Sequence, residues 1–336
     1  MKIVIRTPDR ISETVMALPA VRAMRRKYAD AEFWVAGRAW AGDLLRMGSD
    51  IAGAIPLPDD GNVKDIWQSS RLLKEAGFSA GLLLAPAFGS ALTFYLAGIP
   101  ERWGYAQDGR GVLLTRAVPV DGNFHHGRHR VEYYADLAEA LGCSVVEREP
   151  RLAPLDEDVH AGRAVLAETG RDPSAPLVVL APGGSSGPAG RWPAERFASL
   201  ASLLQSRNRA EVVITGTDED SGLAAEIRAG LGRKPADLTG KTGVRELAAV
   251  LSLASLVVTN DSGPLQMANA LGVPVVAIFG PSDPAVTGPL RQPASVVMKK
   301  AACGPCEYAE CPYDHRCMTA VEPGEVYEAA CRFLGK

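Results

Sequence analysis

Short unbroken apolar runs alternate along the chain with longer stretches in which apolar residues recur every three or four positions. Ile3–Ile5, Phe33–Ala36 and Gly81–Ala85 are runs of the first kind. Leu177–Leu180, Glu211–Gly216, Leu256–Asn260 and Val275–Gly280 repeat the pattern in the second half. Such runs, rich in Val, Ile and Leu and lacking alternation, predict strands covered on both faces, as in a parallel sheet. The stretches between them predict helices over Thr14–Lys27, Asp65–Ala76, Ser90–Ala97 and Val131–Leu141, then over Pro193–Ser206, Ser221–Leu231, Val244–Ser252 and Gly263–Leu271. Strands alternating with helices in this way predict an α/β chain of parallel sheets with helices on both faces. Between the two series, Glu147 to Pro176 is polar, holds Pro150, Pro154, Pro173 and Pro176, and offers one helical piece around Val159–Glu168. This junction predicts two Rossmann-like domains, 1–160 and 161–336, with a central cleft between them.

Composition agrees. A length of 336 residues exceeds the ~100–200 of one typical domain, and 47% apolar with 22% charged residues is ordinary for a globular chain. With 36 basic against 39 acidic side chains, the net charge of -3 excludes a nucleic-acid binder of the whole-chain basic type, and no nucleic-acid partner is expected. No run of about 18 apolar residues predicts a transmembrane helix. The N-terminal MKIVIRTPDR lacks the apolar core of a secretory signal, so the expected compartment is the cytoplasm.

In open α/β sheets, ligands bind beyond the carboxyl ends of the strands, where loops lead into helix N-termini. Three loops fit that place. Thr259-Asn260-Asp261-Ser262-Gly263-Pro264 closes one predicted strand and opens a helix. Gly263 lets a ligand approach the backbone, first-turn N–H groups can hold a phosphate, and the Ser262 hydroxyl adds a donor. Asp261 would repel a phosphate and suits a helix cap or a ribose hydroxyl better. The same residues also read as an ordinary helix cap, and both readings stay open. The loop from Ala181 to Gly187 is rich in glycine and hydroxyls and can cradle a diphosphate. The loop from Arg6 to Glu13 ends at a helix start, where Ser12 can cap and Glu13 meets the positive end of the dipole. Glu13 is then either a plain first-turn acid or a carboxylate placed as a general base.

The runs IVIRTPDRISETVMALPAVRAM, GRWPAERFASLA, LTGKTGVRELAAVLSLASLVVTNDSGPLQMANALGVPVVAIFGPSDPAVTGP and CGPCEYAECPYDHRCM together resemble glycosyltransferase family 9. Within it they resemble the ADP-heptose:lipopolysaccharide heptosyltransferases of the second-heptose type. The likeness runs over nearly the whole chain and is most specific from Leu238 to Pro289. It implies a GT-B fold, with the acceptor taken by the N-terminal domain and the nucleotide sugar by the C-terminal domain. It also implies inverting transfer of heptose from ADP-heptose to the lipopolysaccharide inner core, with no cofactor for catalysis.

Carried over by position, the family's nucleotide contacts fall on Ser185, Ser186, Asp220, Thr242, Asp261, Ser262 and Gly263, with Gln266 where the family has a histidine. Its catalytic aspartate falls on Glu13, and Ser12 replaces the preceding glycine. Its phosphate-facing lysine before Arg-Trp-Pro is Gly190 here, and Arg191, Arg10 or Arg6 are the positive charges placed to replace it. Pro86-Ala87-Phe88 stands where the family has Asn-Ser-Phe. The implied partners are a nucleotide-sugar donor, an anionic glycolipid acceptor and, peripherally, the inner face of the inner membrane. The substitutions leave two alternatives: a catalytically silent relative that binds a nucleotide sugar or glycan, and a transferase for a different sugar or acceptor.

Two further clusters carry chemistry. His125, His126, Arg128, His129 and Arg130 gather three of the five histidines with two arginines. They read either as a solvated face or as a contact for the carboxylates and phosphates of an acceptor. Four of the six cysteines, Cys303, Cys306, Cys311 and Cys317, fall in one short segment with His315. Structural zinc or iron, reduced buried thiols and disulfides are the three readings, and a metal here would be structural.

Overall fold

The apolar runs become the central strands of two sheets in the computed structural model, which describes residues 1–58, 61–120, 127–184, 187–306 and 308–334. Contacts divide the chain into a first unit, Met1–Pro150, and a second, Arg151–Lys336. The first unit holds β1 (Lys2–Arg6), β2 (Glu32–Gly37), β3 (Gly53–Pro56), β4 (Ala80–Leu83), β5 (Glu101–Tyr105) and β6 (Arg116–Val118). They form one six-stranded sheet in the order β3-β2-β1-β4-β5-β6. The second unit holds β7 (Leu177–Ala181), β8 (Glu211–Ile214), β9 (Ala236–Asp237), β10 (Leu256–Asn260), β11 (Val275–Phe279) and β12 (Ala294–Met298), in the order β12-β11-β10-β7-β8-β9. Every strand pairing in both sheets is parallel. Counted from its own first strand, each unit has the doubly wound order 3-2-1-4-5-6. These are the two parallel α/β units of a GT-B architecture.

The central strands are buried along their whole length, β4, β7, β10 and β11 at every residue. That is why they are continuous apolar runs. The strands that periodicity leaves out, β3, β5, β6, β9 and β12, are short or carry polar and half-buried residues. The predicted helix Thr14–Lys27 is two helices, Ile11–Met16 and Leu18–Lys27. Pro19 sits in the first turn of the second helix, where it has no N–H to offer the carbonyl of Val15 and so interrupts the ladder. The division at Pro150 falls within the polar junction but ahead of residue 160. Helix Asp156–Glu168 packs against helix Val244–Ser252 of the second unit and belongs with it.

The second unit's core includes Trp192, which is fully buried. Its ring meets Phe197 edge-on at 4.9 Å, and its indole N–H donates to the carbonyl of Val321 at 3.0 Å. This bond fixes the start of the C-terminal helix Pro323–Leu334, which packs on helix Ala194–Arg207. Among the described residues no helix is long and apolar enough to cross a membrane. Replacing Trp192 with Ala removes a large fully buried side chain and leaves the Val321 carbonyl without that donor. The expected loss is about 3–5 kcal/mol, read as a lower urea midpoint, with amide exchange accelerated first in Pro323–Leu334.

Candidate active site

In a doubly wound sheet, the crevice for ligands opens where neighbouring strands send their connections to opposite sides. In the second unit that point lies between β7 and β10, which are paired from Leu256↔Val178 to Thr259↔Ala181. The two loops singled out in the sequence leave from these strands. Asn260, fully buried at the end of β10, joins them. Its amide N–H groups donate to the carbonyls of Pro182 at 2.7 Å and Gly183 at 3.1 Å, and its carbonyl accepts from the backbone N–H of Trp192 at 3.2 Å. The sequence places Asn260 in the loop from Thr259 to Pro264 but assigns it no role, since its partners lie far along the chain.

Ser262 caps helix Gly263–Leu271: its hydroxyl accepts from the N–H of Leu265 at 3.4 Å and lies 2.8 Å from the Thr259 hydroxyl. Asp261 accepts from the Thr287 hydroxyl at 2.9 Å, while the buried Gln266 donates to the carbonyl of Thr287. Gln266 thus ties its helix to the segment after β11. Asp220 is buried and closes a capping box with Thr217, accepting from its N–H at 2.9 Å and its hydroxyl at 3.0 Å. It also pairs with Arg191 at 3.3 Å. Arg191 is thereby held beside Gly184, where an added Cβ would lie 3.4 Å from its Cγ. Thr242 is half-buried just ahead of helix Val244–Ser252. Ser185 and Ser186 lie outside the described residues.

The cysteine segment supports this edge through its backbone. The N–H of Ala189 donates to the carbonyl of Ala309 at 3.1 Å, and the N–H of Cys306 to that of Pro281 at 2.9 Å. Gly187 has φ +88°, and any Cβ there would lie 2.7 Å from the Ala309 carbonyl oxygen. Cys303, Cys306, Cys311, Cys317 and His315, the residues of the metal reading, are all described. Among the described residues no group of three or more such donors is disposed to hold an ion, and all six cysteines are free. Cys317 is buried against Gly280, whereas Cys303, Cys306 and Cys311 are half-exposed. Burial raises the pKa of the Cys317 thiol.

In the first unit the corresponding point lies between β1 and β4. Helix Ile11–Met16 begins directly after the β1 loop and brings Glu13 to this edge, half-buried. The expected cap by Ser12 does not occur. The helix starts at Ile11 with Arg10 in the capping position, so Ser12 is a buried first-turn residue. Glu13 Oε2 accepts from the hydroxyl of Tyr134 at 3.3 Å. Tyr134 lies in helix Arg130–Ala140, beside Tyr133, whose hydroxyl donates to Gln107 at 2.8 Å. Burial pushes the Tyr133 phenol up to about 12. Arg110, fully buried, donates from Nε to the Tyr105 carbonyl at 2.8 Å and from Nη1 to that of Ala85, clamping the segments that follow β5 and β4. Its Nη2 is buried with no partner among the described residues, and burial lowers its pKa. No spacing in the sequence marks Arg110 or Tyr134.

Of the three arginines considered as replacement charges, Arg6 is buried and bonded to the Thr7 carbonyl and to Asp9, Arg10 is exposed, and Arg191 adjoins the β7 loop. In the basic cluster, His125 and His126 lie outside the described residues. Arg128 pairs with Asp136 at 2.8 Å, His129 accepts from the N–H of Val131 and so caps its helix, and Arg130 stacks over Tyr133 at 5.7 Å. The cluster's charge is therefore partly neutralised by acids lying further along the same helix.

Two doubly wound units, with glycine- and hydroxyl-rich loops at the switch point of the second and a carboxylate at that of the first, are the architecture of a GT-B glycosyltransferase. Residues 66–316 match the model of glycosyltransferase family 9 (heptosyltransferase), and the chain belongs to that family. It is 30% identical to lipopolysaccharide heptosyltransferase 2 of Salmonella typhimurium over 88% of each chain. Against the solved structure of E. coli ADP-heptose lps heptosyltransferase II it has a TM-score of 0.84 with 27% identity, covering 99% of this chain and 98% of that one. A family 9 structure from Veillonella parvula superposes with a TM-score of 0.85 at 21% identity, which shows the shared fold.

Asn260→Ala leaves two buried carbonyls and one buried N–H without their partner. The expected cost is on the order of 2–3 kcal/mol, with nucleotide affinity falling in parallel. Asn260→Asp, equal in shape, turns a carboxylate toward the carbonyls of Pro182 and Gly183 and is expected to be at least as harmful. A thermal melt and an ADP titration of both variants check this.

Proposed function

We propose that the protein transfers a heptose from ADP-heptose to the inner core of lipopolysaccharide with inversion at the anomeric carbon, and that Glu13 is the general base. The carrying observation is the Glu13 carboxylate at the β1/β4 switch point, with one oxygen bonded to Tyr134 and the other unbonded among the described residues. In this reading Glu13 takes the proton of the acceptor hydroxyl as that oxygen bonds to the anomeric carbon. The bond from that carbon to the diphosphate breaks on the opposite face, and ADP departs. The names of the relatives supply the sugar and the acceptor class.

The donor side rests on the second unit. The N-terminus of helix Gly263–Leu271 and the loop after β7 offer backbone N–H groups to the diphosphate. Asp261, Asp220 and Thr242 are the candidates for the ribose and base, with Ser185 and Ser186 joining the phosphate contacts. Gly190 removes the family's lysine. Arg191, oriented by Asp220 beside Gly184, supplies a positive charge for the leaving diphosphate in its place. The acceptor side rests on Glu13 and on Arg130 and His129 at the start of helix Arg130–Ala140, which suit an anionic glycolipid at a membrane surface.

Glu13→Gln keeps the size of the side chain and removes its basicity. Turnover should fall by about 100-fold or more, with ADP-heptose affinity unchanged, and a Glu13→Gln enzyme that turns over normally sinks the assignment. Arg191→Ala is expected to weaken ADP binding about tenfold, the worth of a charge-assisted contact. Unchanged affinity in an ADP titration would remove Arg191 from the site.

A further inference from the structure

Packing alone does not require a tyrosine at position 134. Its ring is about 1% exposed within helix Arg130–Ala140 and meets Tyr133 edge-on at 5.2 Å. Phenylalanine would fill that space without a polar atom to satisfy. A fully buried phenol needs a hydrogen-bond partner, and the Tyr134 hydroxyl has one among the described residues, Glu13 Oε2 at 3.3 Å. The relation is mutual, since the Glu13 carboxylate makes no other hydrogen bond among the described residues.

We propose that Tyr134 is a positioning residue: it fixes Glu13 through Oε2 and leaves Oε1 to receive the acceptor's proton. The inference rests on the reading of Glu13 as the base. Glutamate has one more rotatable bond than aspartate, and Glu13 stands on a helix of only six residues. A donor from a different element removes that freedom. The donor's own element is well anchored: Tyr105 donates to the Tyr133 carbonyl at 2.6 Å, Tyr133 to Gln107 at 2.8 Å, and His129 caps the helix. The separation of 3.3 Å exceeds the roughly 2.7–2.8 Å of a settled hydroxyl bond. Catalytic hydrogen bonds are commonly long before substrate arrives and tighten in the complex.

Burial and the Glu13 charge hold the Tyr134 phenol well above its ordinary range, so it remains a donor throughout the working pH range. The other charged groups around this point have partners or positions of their own. Arg130 and Tyr133 share Tyr134's helix, while Arg110 and Asp108 lie on the segment after β5. Asp43 and Arg46 pair with each other on helix Ala41–Arg46. Arg22 and Arg25 on helix Leu18–Lys27 bond to Gly48 and Asp50, and Arg6 bonds to Asp9 ahead of the exposed Arg10. None of these donates a hydrogen bond to Glu13 in the described residues, so removal of the Tyr134 hydroxyl is not masked by a substitute.

The test measures ADP release from ADP-heptose and acceptor for the wild type, Tyr134→Phe, Glu13→Asp, the double variant and Glu13→Gln, each checked by thermal melting. Tyr134→Phe should melt with the wild type and lose about 10–100-fold in kcat with the donor KM unchanged. In the Glu13→Asp background, where the carboxylate is drawn back from the hydroxyl by one methylene, the same change should alter kcat less than about twofold. A Tyr134→Phe enzyme with the wild-type kcat overturns the inference. So does an equal loss in both backgrounds, which would make Tyr134 a packing residue. Loss of turnover in Glu13→Gln with an unaltered Tyr134→Phe overturns this inference alone, whereas turnover retained in Glu13→Gln overturns the base reading beneath it.

Discussion

A parallel sheet whose strand order reverses at one place leaves a gap in its cover there, because the connections on either side run to opposite faces. The chain meets this constraint twice, at β1/β4 and at β7/β10. At both places the backbone is much the same, and the side chains divide the chemistry. The first gap receives an acid and a phenol, Glu13 and Tyr134. The second receives backbone N–H groups, hydroxyls and the Asp220–Arg191 pair. In the proposed reading, proton removal and phosphate stabilisation call for opposite local charge, and the two tasks fall to separate sheets.

What holds the loops in place is buried polarity rather than surface charge. Exposed ion pairs such as Arg46–Asp43 are worth roughly 0–1 kcal/mol. A buried group stripped of its partner costs about 1–3 kcal/mol for each atom left unmet. Asn260 bonds three backbone groups and Arg110 two, so these two side chains dominate the geometry of the edges they join. Arg110 retains one unpartnered buried nitrogen, which makes its own placement costly. The carbonyls it satisfies belong to Ala85 and Tyr105, on segments that flank the β1/β4 point.

Much of this architecture can be read from the chain itself. Leu177–Leu180 and Leu256–Asn260 are continuous apolar runs because their strands are covered on both faces, and the loops after them are visible as glycine and hydroxyl clusters. Glu13 can be read from its place after the first strand together with the family resemblance. Other features were illegible for definite reasons. β5 carries Glu101 and Arg102, so its strand character lies in its neighbours rather than in its own pattern. Arg128 looks like part of a basic run until the helix brings Asp136 alongside it. Asn260, Arg110 and Tyr134 act through partners 25 or more residues away, except where Arg110 bonds Tyr105, and no local pattern encodes such contacts. Closeness in sequence leaves metal, reduced thiols and disulfides open for the cysteines, and among the described residues they are free thiols with no group of three donors disposed to hold an ion.

The support given by the segment around Ala309 to the β7 loop passes from main chain to main chain, through the Ala189 N–H and the Ala309 carbonyl. Such a contact constrains the path of the segment and is nearly indifferent to the residues that compose it. The shape of the loop therefore rests here on main-chain atoms, while the Cys317 side chain packs separately against Gly280. The contact makes its one sharp demand at Gly187, where a methyl group would collide with the carbonyl that accepts the bond.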